Sequence, residues 1–140
     1  MKSAGAYLRN GRIFLHPDSK TIKGFWIASE PVMATDEDDK DLGTKILWIL
    51  SQSTVDVPDP ASRAAPKALL KAANARTYEE FADLTKCIEI EFDGRELVFT
   101  PSRNGGPRRR FSYLKEKIRC PPSEADAAKF LREAFDACEW

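Results

Sequence analysis

Histidine is almost absent from this sequence: His16 is the only one among 140 residues. Any mechanism in which an imidazole activates a nucleophile must therefore use it. His16 precedes Pro17 and Asp18 in what reads as the exit of a hairpin, where a side chain is expected to be solvated. No GxGxxG, phosphate-binding loop, GxSxG elbow or HExxH occurs anywhere in the chain. Cysteine is scarce too, with Cys87, Cys120 and Cys138 widely spaced and no CxxC pair. A closed zinc site would need those three thiols and His16 to converge from four distant segments. Reduced thiols are the expectation, with no metal and no other cofactor. Long apolar runs are also missing. Ile46 to Leu50 is far too short to span a bilayer, and no signal-peptide core follows Met1-Lys2-Ser3-Ala4-Gly5. These absences point to a cytoplasmic protein that is not an enzyme.

What is present is ordinary globular material. Hydrophobic residues make up 42% and charged residues 31% of a 15.8 kDa chain, the size of one domain spanning residues 1–140. Folding such a chain buries about 68% of its unfolded surface, enough for a core without disulfides. Net charge is zero, yet the charges are segregated. Between Glu30 and Asp41 lie six acids and one base; between Arg103 and Arg119 lie seven bases and one acid. The neutral total hides a dipolar sequence.

The pattern along the chain predicts six strands and four helices in the order βββ-ααα-βββ-α. Tyr7–Arg9 and Arg12–Leu15 flank Asn10-Gly11, which accepts the positive φ angles of a two-residue type I′ turn. A third extended run covers Thr21 to Ala28. Thr35 then reads as the N-cap of a helix with Asp36, Glu37 and Asp38 in its first turn and Leu42, Ile46, Ile49 and Leu50 on one face. Val57 to Pro60 opens a connector, and Pro66 suits the first turn of a helix carrying Leu69, Leu70 and Ala73. Thr77-Tyr78-Glu79-Glu80 is a capping box for a third helix whose buried face would be Tyr78, Phe81 and Leu84. Cys87–Phe92 and Arg95–Thr100 flank Asp93-Gly94, predicting a hairpin that pairs Ile90 with Leu97 and Ile88 with Phe99. Glu89 and Glu91 then point the other way, as a solvent-facing strand would have them. Phe111 to Cys120 is a further extended run, and the last helix opens near Ser123-Glu124. It carries Ala127, Leu131, Ala134, Phe135 and Cys138 on one side. The fold class is α+β, with a largely antiparallel sheet of about six strands and about four helices packed mainly on one face.

Two segments are candidates for binding. The run Asp36, Glu37, Asp38, Asp39 and Asp41 can cap a helix and also offer an acidic surface to a basic partner such as a nuclease cleft. The segment Thr100 to Arg110 is the most unusual in the chain. Its arginines, Arg103, Arg108, Arg109 and Arg110, can fork onto phosphate or carboxylate, and Asn104 sits beside a Gly-Gly-Pro loop. A small RNA-binding module is one reading of it; a solvated loop, a partner-binding loop and a loop pinned to the core are others. The overall neutrality of the chain and the lack of interleaved aromatics beyond Phe111 and Tyr113 weigh against nucleic acid.

With these segments in view, the sequence resembles the immunity proteins of bacterial contact-dependent growth inhibition (CDI) systems. The resemblance rests on Leu15-His16-Pro17-Asp18, on Leu42-Gly43 opening a helix, on Leu69-Leu70-Lys71-Ala72-Ala73 and on the Ala137-Cys138-Glu139 ending. Its most distinctive part is Phe99-Thr100-Pro101-Ser102-Arg103-Asn104-Gly105-Gly106. Arg108-Arg109-Arg110 is more basic than the group's pattern. The resemblance implies a cytoplasmic protein that binds the C-terminal toxin domain of a cognate effector, one to one. Such a toxin is usually a nuclease, here expected to be an RNase, and it is neutralised by blocking its active site. Toxin-facing residues do not carry over from the motif. Charge alone nominates Asp36, Glu37, Asp38, Asp39 and Asp41 first, with Arg103, Asn104 and Arg108 to Arg110 second.

Overall fold

The computed structural model describes residues 1–60 and 66–140. The connector expected after Pro60 lies largely outside those residues. The elements run β1 (Lys2–Arg9), β2 (Arg12–Lys20), β3 (Trp26–Ala28), β4 (Met33–Asp36), α1 (Leu42–Ser51), α2 (Lys67–Ala72), α3 (Tyr78–Ala82), β5 (Lys86–Phe92), β6 (Leu97–Arg103), β7 (Ser112–Tyr113), β8 (Ile118–Cys120) and α4 (Glu124–Ala137). Six strands form a continuous antiparallel path, β3-β2-β1-β5-β6-β7, as the α+β pattern requires. Two short additions complete it: β4 on β2 and β8 on β6.

The first hairpin forms as its sequence dictates. Arg9 pairs with Arg12, and Asn10 and Gly11 take φ of 52° and 74°. Its second strand does not stop at His16-Pro17-Asp18, where a turn was expected. Pro17 survives inside β2 because the outer side of that strand is paired to β4 only through Leu15 and to β3 only from Asp18, so no ladder needs the missing amide. The run from Thr21 to Ala28 is correspondingly shorter than expected. Thr21 Oγ1 accepts the Phe25 amide at 3.0 Å, closing a turn, and only Trp26–Ala28 pairs as a strand.

Helix α1 begins later than its acids imply. Thr35 lies in β4 instead of capping the helix, and the N-cap is Asp41, so no acid occupies the first turn. The apolar stripe stands as expected, with Leu42, Ile46, Ile49 and Leu50 buried. In the second hairpin the register is displaced by two residues: Ile90 faces Phe99 and Ile88 faces Pro101. The Asp93 carboxylate accepts both the Arg95 and Glu96 amides, at 2.8 and 2.9 Å, and so widens the turn to four residues. A shift of two preserves which face each side chain takes. The run Phe111 to Cys120 is split into β7 and β8. Leu84, expected on the buried face of α3, is 73% exposed because the chain leaves that helix with φ of 52°.

The two longer helices, α1 and α4, pack together on one face of the sheet over Ala4, Ala6, Ile13, Leu15, Ile88, Ile90, Leu97 and Phe99. Gly43 makes their crossing possible: a Cβ there would lie 1.8 Å from the Glu124 carbonyl oxygen. The short α2 and α3 cover part of the opposite face, where Leu69 and Phe81 close over Tyr7, Phe14 and Cys87. Among the described residues no helix is long and apolar enough to cross a membrane.

Candidate functional site

The opposite face of the sheet is built from the alternate residues of β1, β2, β5 and β6, which lie in rows across the strands. Phe14, Tyr7 and Cys87 form the row beneath α2 and α3. The next row is His16, Gly5, Glu89 and Thr100, and beyond it come Asp18, Ser3, Glu91 and Val98. The face thus turns from aromatic to polar within one row. His16 is not solvated as expected; it is 3% exposed, and its ring lies flat enough over Gly5 that a Cβ there would stand 2.6 Å from Nε2. Nδ1 faces two acceptors, the Pro17 carbonyl at 3.1 Å and the Asp18 carboxylate at 3.4 Å, and Nε2 lies 3.4 Å from the Tyr7 hydroxyl. That geometry assigns the ring proton to Nδ1.

Burial raises the Asp18 carboxyl pKa, with His16 and the Ser3 hydroxyl opposing the shift. Burial also raises that of Glu89, reinforced by the charges of Glu91 and Asp18 and offset by Lys117. Thr100 is 2% exposed, and its hydroxyl has no hydrogen-bond partner among the described residues. The nucleophile candidates nearby are held in their protonated forms. Burial pushes the Cys87 thiol up to about 12 and the Tyr7 phenol well above its usual value. Cys120 lies in the core under α1 and α4, on the other side of the sheet, so the three thiols and His16 do not converge.

The charged segments nominated from sequence lie elsewhere, at the Asn10-Gly11 end of the sheet. Asp36 pairs with Arg12 on one edge, and Arg103 ends β6 near the other, four strands away or about 19 Å at the usual strand spacing. Asp36, Glu37, Asp38 and Asp41 are exposed. Asp39 is an internal fastener: its carboxylate takes Lys45 Nζ, the Thr35 hydroxyl and the Asp41 amide, which together hold its pKa well below the carboxylate range. Arg132 of α4 donates to the Glu37 and Asp39 carbonyls at 3.2 and 3.0 Å, fixing the acidic turn. A shallow groove between that turn and α4 is lined by Glu37, Asp38, Arg132 and Asp136 over Leu8 and Phe135.

The basic segment divides in the same way. Asn104 is buried, and its Nδ2 donates to the Ala82 and Thr85 carbonyls at 2.8 and 2.9 Å. Its Oδ1 accepts from the Gly106 amide at 3.2 Å and from Arg110 Nη1 at 2.8 Å. Arg110 reaches inward as well, donating to the Ala82 carbonyl and lying 3.7–3.8 Å from Asp83 and Glu79. Both residues pin the loop to the end of α3. Arg103 is paired with Glu139, whose backbone also bridges to β6. Arg108 and Arg109 are exposed. Sequence reasoning missed Asp18 and Thr100 and took Glu89 and Glu91 for a solvated strand face. Strand alternation carried a signal, because it placed both glutamates opposite Ile88 and Ile90, but the partners across the sheet were out of its reach.

No family model matches the chain, and no curated protein does. Solved structures do match. A chain of the CdiA-CT/CdiI toxin and immunity complex from Yersinia pseudotuberculosis superposes with a TM-score of 0.76 at 14% identity, covering 99% of this chain and 97% of that one. This protein has that chain's fold. A protein of unknown function from Neisseria meningitidis matches equally well, with a TM-score of 0.76 at 15% identity over 99% of this chain and 95% of its own.

Proposed function

We propose that this chain is a cytoplasmic immunity protein that binds and neutralises the toxin domain of a contact-dependent growth inhibition effector, one to one and without catalysis. The observation that carries the proposal is the fold match across 99% of the chain to a component of a toxin–immunity complex. The site chemistry agrees with it. Neither the thiol of Cys87 nor the phenol of Tyr7, the candidates near the buried His16, is ionised near neutral pH. Exposed Asp36, Glu37, Asp38 and Asp41 offer a basic partner a field that speeds encounter, and an RNase cleft is such a partner. Arg103, Arg108 and Arg109 form the second surface. An RNA-binding role for Arg103–Arg110 has less support, since Arg110 faces inward and Arg103 is neutralised by Glu139. Co-expression tests the proposal directly: cells producing the cognate toxin domain should grow when this protein is present and stop when it is absent. Equal arrest in both cultures would refute it.

A further inference from the structure

The polar half of the second sheet face holds more negative charge than the protein itself balances. Asp18, Glu89 and Glu91 stand in adjacent rows on β2 and β5, all partly buried. His16 Nδ1 and the Ser3 hydroxyl, at 3.4 and 3.2 Å, face Asp18. Among the described residues no lysine or arginine forms an ion pair with Glu89 or Glu91; Lys117 acts on Glu89 only from beyond ion-pair distance. Carboxylates held this way cost stability unless a cation neutralises them.

An independent observation points to the same place. Thr100 lies directly across from Glu89 on the same face, and its hydroxyl is buried without a hydrogen-bond partner among the described residues. A buried hydroxyl left unpaired is uncommon and costs free energy in the isolated protein. Its oxygen accepts as readily as a carboxylate oxygen does. Glu89, Glu91 and an idle acceptor on the neighbouring strand make a seat for a group that only donates, which describes a guanidinium or an ammonium.

We propose that Glu89 and Glu91, with the Thr100 hydroxyl beside them and with Asp18 adding its charge from two strands away, form a basin that receives one arginine or lysine side chain of the partner protein. The proposal rests on the toxin-binding reading and adds a specific anchor to it, distinct from the acidic turn at Asp36–Asp41. Arginine is the better fit, because its planar fork can reach Glu89 and Glu91 together, and a remaining N–H can meet Thr100 once binding has opened the cover over its hydroxyl, which is buried in the free protein. Neutralised carboxylates and a satisfied hydroxyl in the complex would then offset what the free protein forgoes.

Two arms separate this proposal from the reading beneath it. In the first, the isolated protein is titrated with n-propylguanidinium chloride while the side-chain carboxyl carbons are followed by NMR, with sodium chloride at equal ionic strength as control. The expected result is a saturable shift at Glu89 and Glu91. The accompanying shift of the backbone amides at positions 89, 91 and 100, which every variant retains, should disappear in the Glu89→Gln/Glu91→Gln variant and weaken in Thr100→Val, which keeps every charge. Shifts that match sodium chloride, or that persist unchanged in either variant, overturn the proposal. In the second arm, the toxin domain is bound to wild type and to Glu89→Gln/Glu91→Gln. At least about 30-fold weaker binding by the variant is expected for a buried charge pair that has lost one partner. Equal binding overturns the anchor and leaves the immunity reading standing. No binding by the wild type removes that reading, and the first arm then decides whether the basin takes cations at all.

Discussion

Thr100 and Glu89 face each other across β5 and β6, and each carries a cost that a single substitution removes. Thr100→Val keeps the shape and deletes the unpaired hydroxyl, so it should stabilise the free protein by about 1 kcal/mol in chemical denaturation. A loss of similar size would mean that the hydroxyl is satisfied. Glu89 gives a pH-dependent prediction. Its folded pKa is raised by burial and by Glu91 and Asp18, against Lys117. Between its ordinary value and that raised value the folded state holds the extra proton, so the contribution of Glu89 to stability falls as pH rises through that window. Asp18, raised by burial, acts in the same direction. Glu89→Gln mimics the protonated form. It should therefore stabilise the protein more at pH 7 than at pH 4, as read from denaturation midpoints at the two values. An equal effect at both would contradict the shift.

Elements were legible where local chemistry decided them. The Asn10-Gly11 turn, the stripe of α1, the Thr77 cap of α3 and the Ser123 start of α4 are all visible in the sequence, because a cap or a turn depends on neighbours within four residues. Thr35 misled because a threonine followed by acids looks the same whether it caps a helix or ends an edge strand. Only the pairing of Ile13 with Thr35 separates the two. His16 misled because Pro17 marks a turn unless the sheet happens to leave its amide unneeded. Two predictions belong at this scale. Gly43→Ala places a methyl against the Glu124 backbone where α1 crosses α4. It should cost more than about 3 kcal/mol, or prevent folding, although alanine is the better helix former; a stabilised variant would contradict the crossing. Asn104→Ala removes the four hydrogen bonds of that side chain, two to the Ala82 and Thr85 carbonyls at the end of α3 and two within the basic loop, and leaves Arg110 on the Ala82 carbonyl. The Ala82 carbonyl keeps Arg110 and the Thr85 amide, but the Thr85 carbonyl loses its side-chain donor at a cost of about 1–3 kcal/mol, and amide exchange should accelerate at Gly106 first. Unchanged exchange there would show that the loop is held by other means.

For the molecule as a whole, the segregated charge was legible and its division of labour was not. The sequence places acids together at Asp36–Asp41 and bases together at Arg103–Arg110, but it does not tell a fastener from a surface. Asp39, Asn104 and Arg110 serve the fold, while Asp36, Glu37, Asp38, Asp41, Arg108 and Arg109 remain exposed. Reversing Asp36 and Asp38 to lysine should therefore slow association with a basic toxin domain and flatten its salt dependence, with little change in dissociation; unchanged rates would remove that turn from the encounter surface. The resemblance seen in Phe99 to Gly106 has a similar lesson. That stretch is distinctive because it builds the β6 end and its loop, with Ser102 donating to the Cys87 carbonyl and Asn104 closing the turn. The account stands on inhibition by binding. Its most direct test is to titrate the cognate toxin domain with this protein and follow the toxin's own activity. The account predicts a linear fall that reaches zero at one equivalent; full activity retained at a molar excess of folded protein would contradict it.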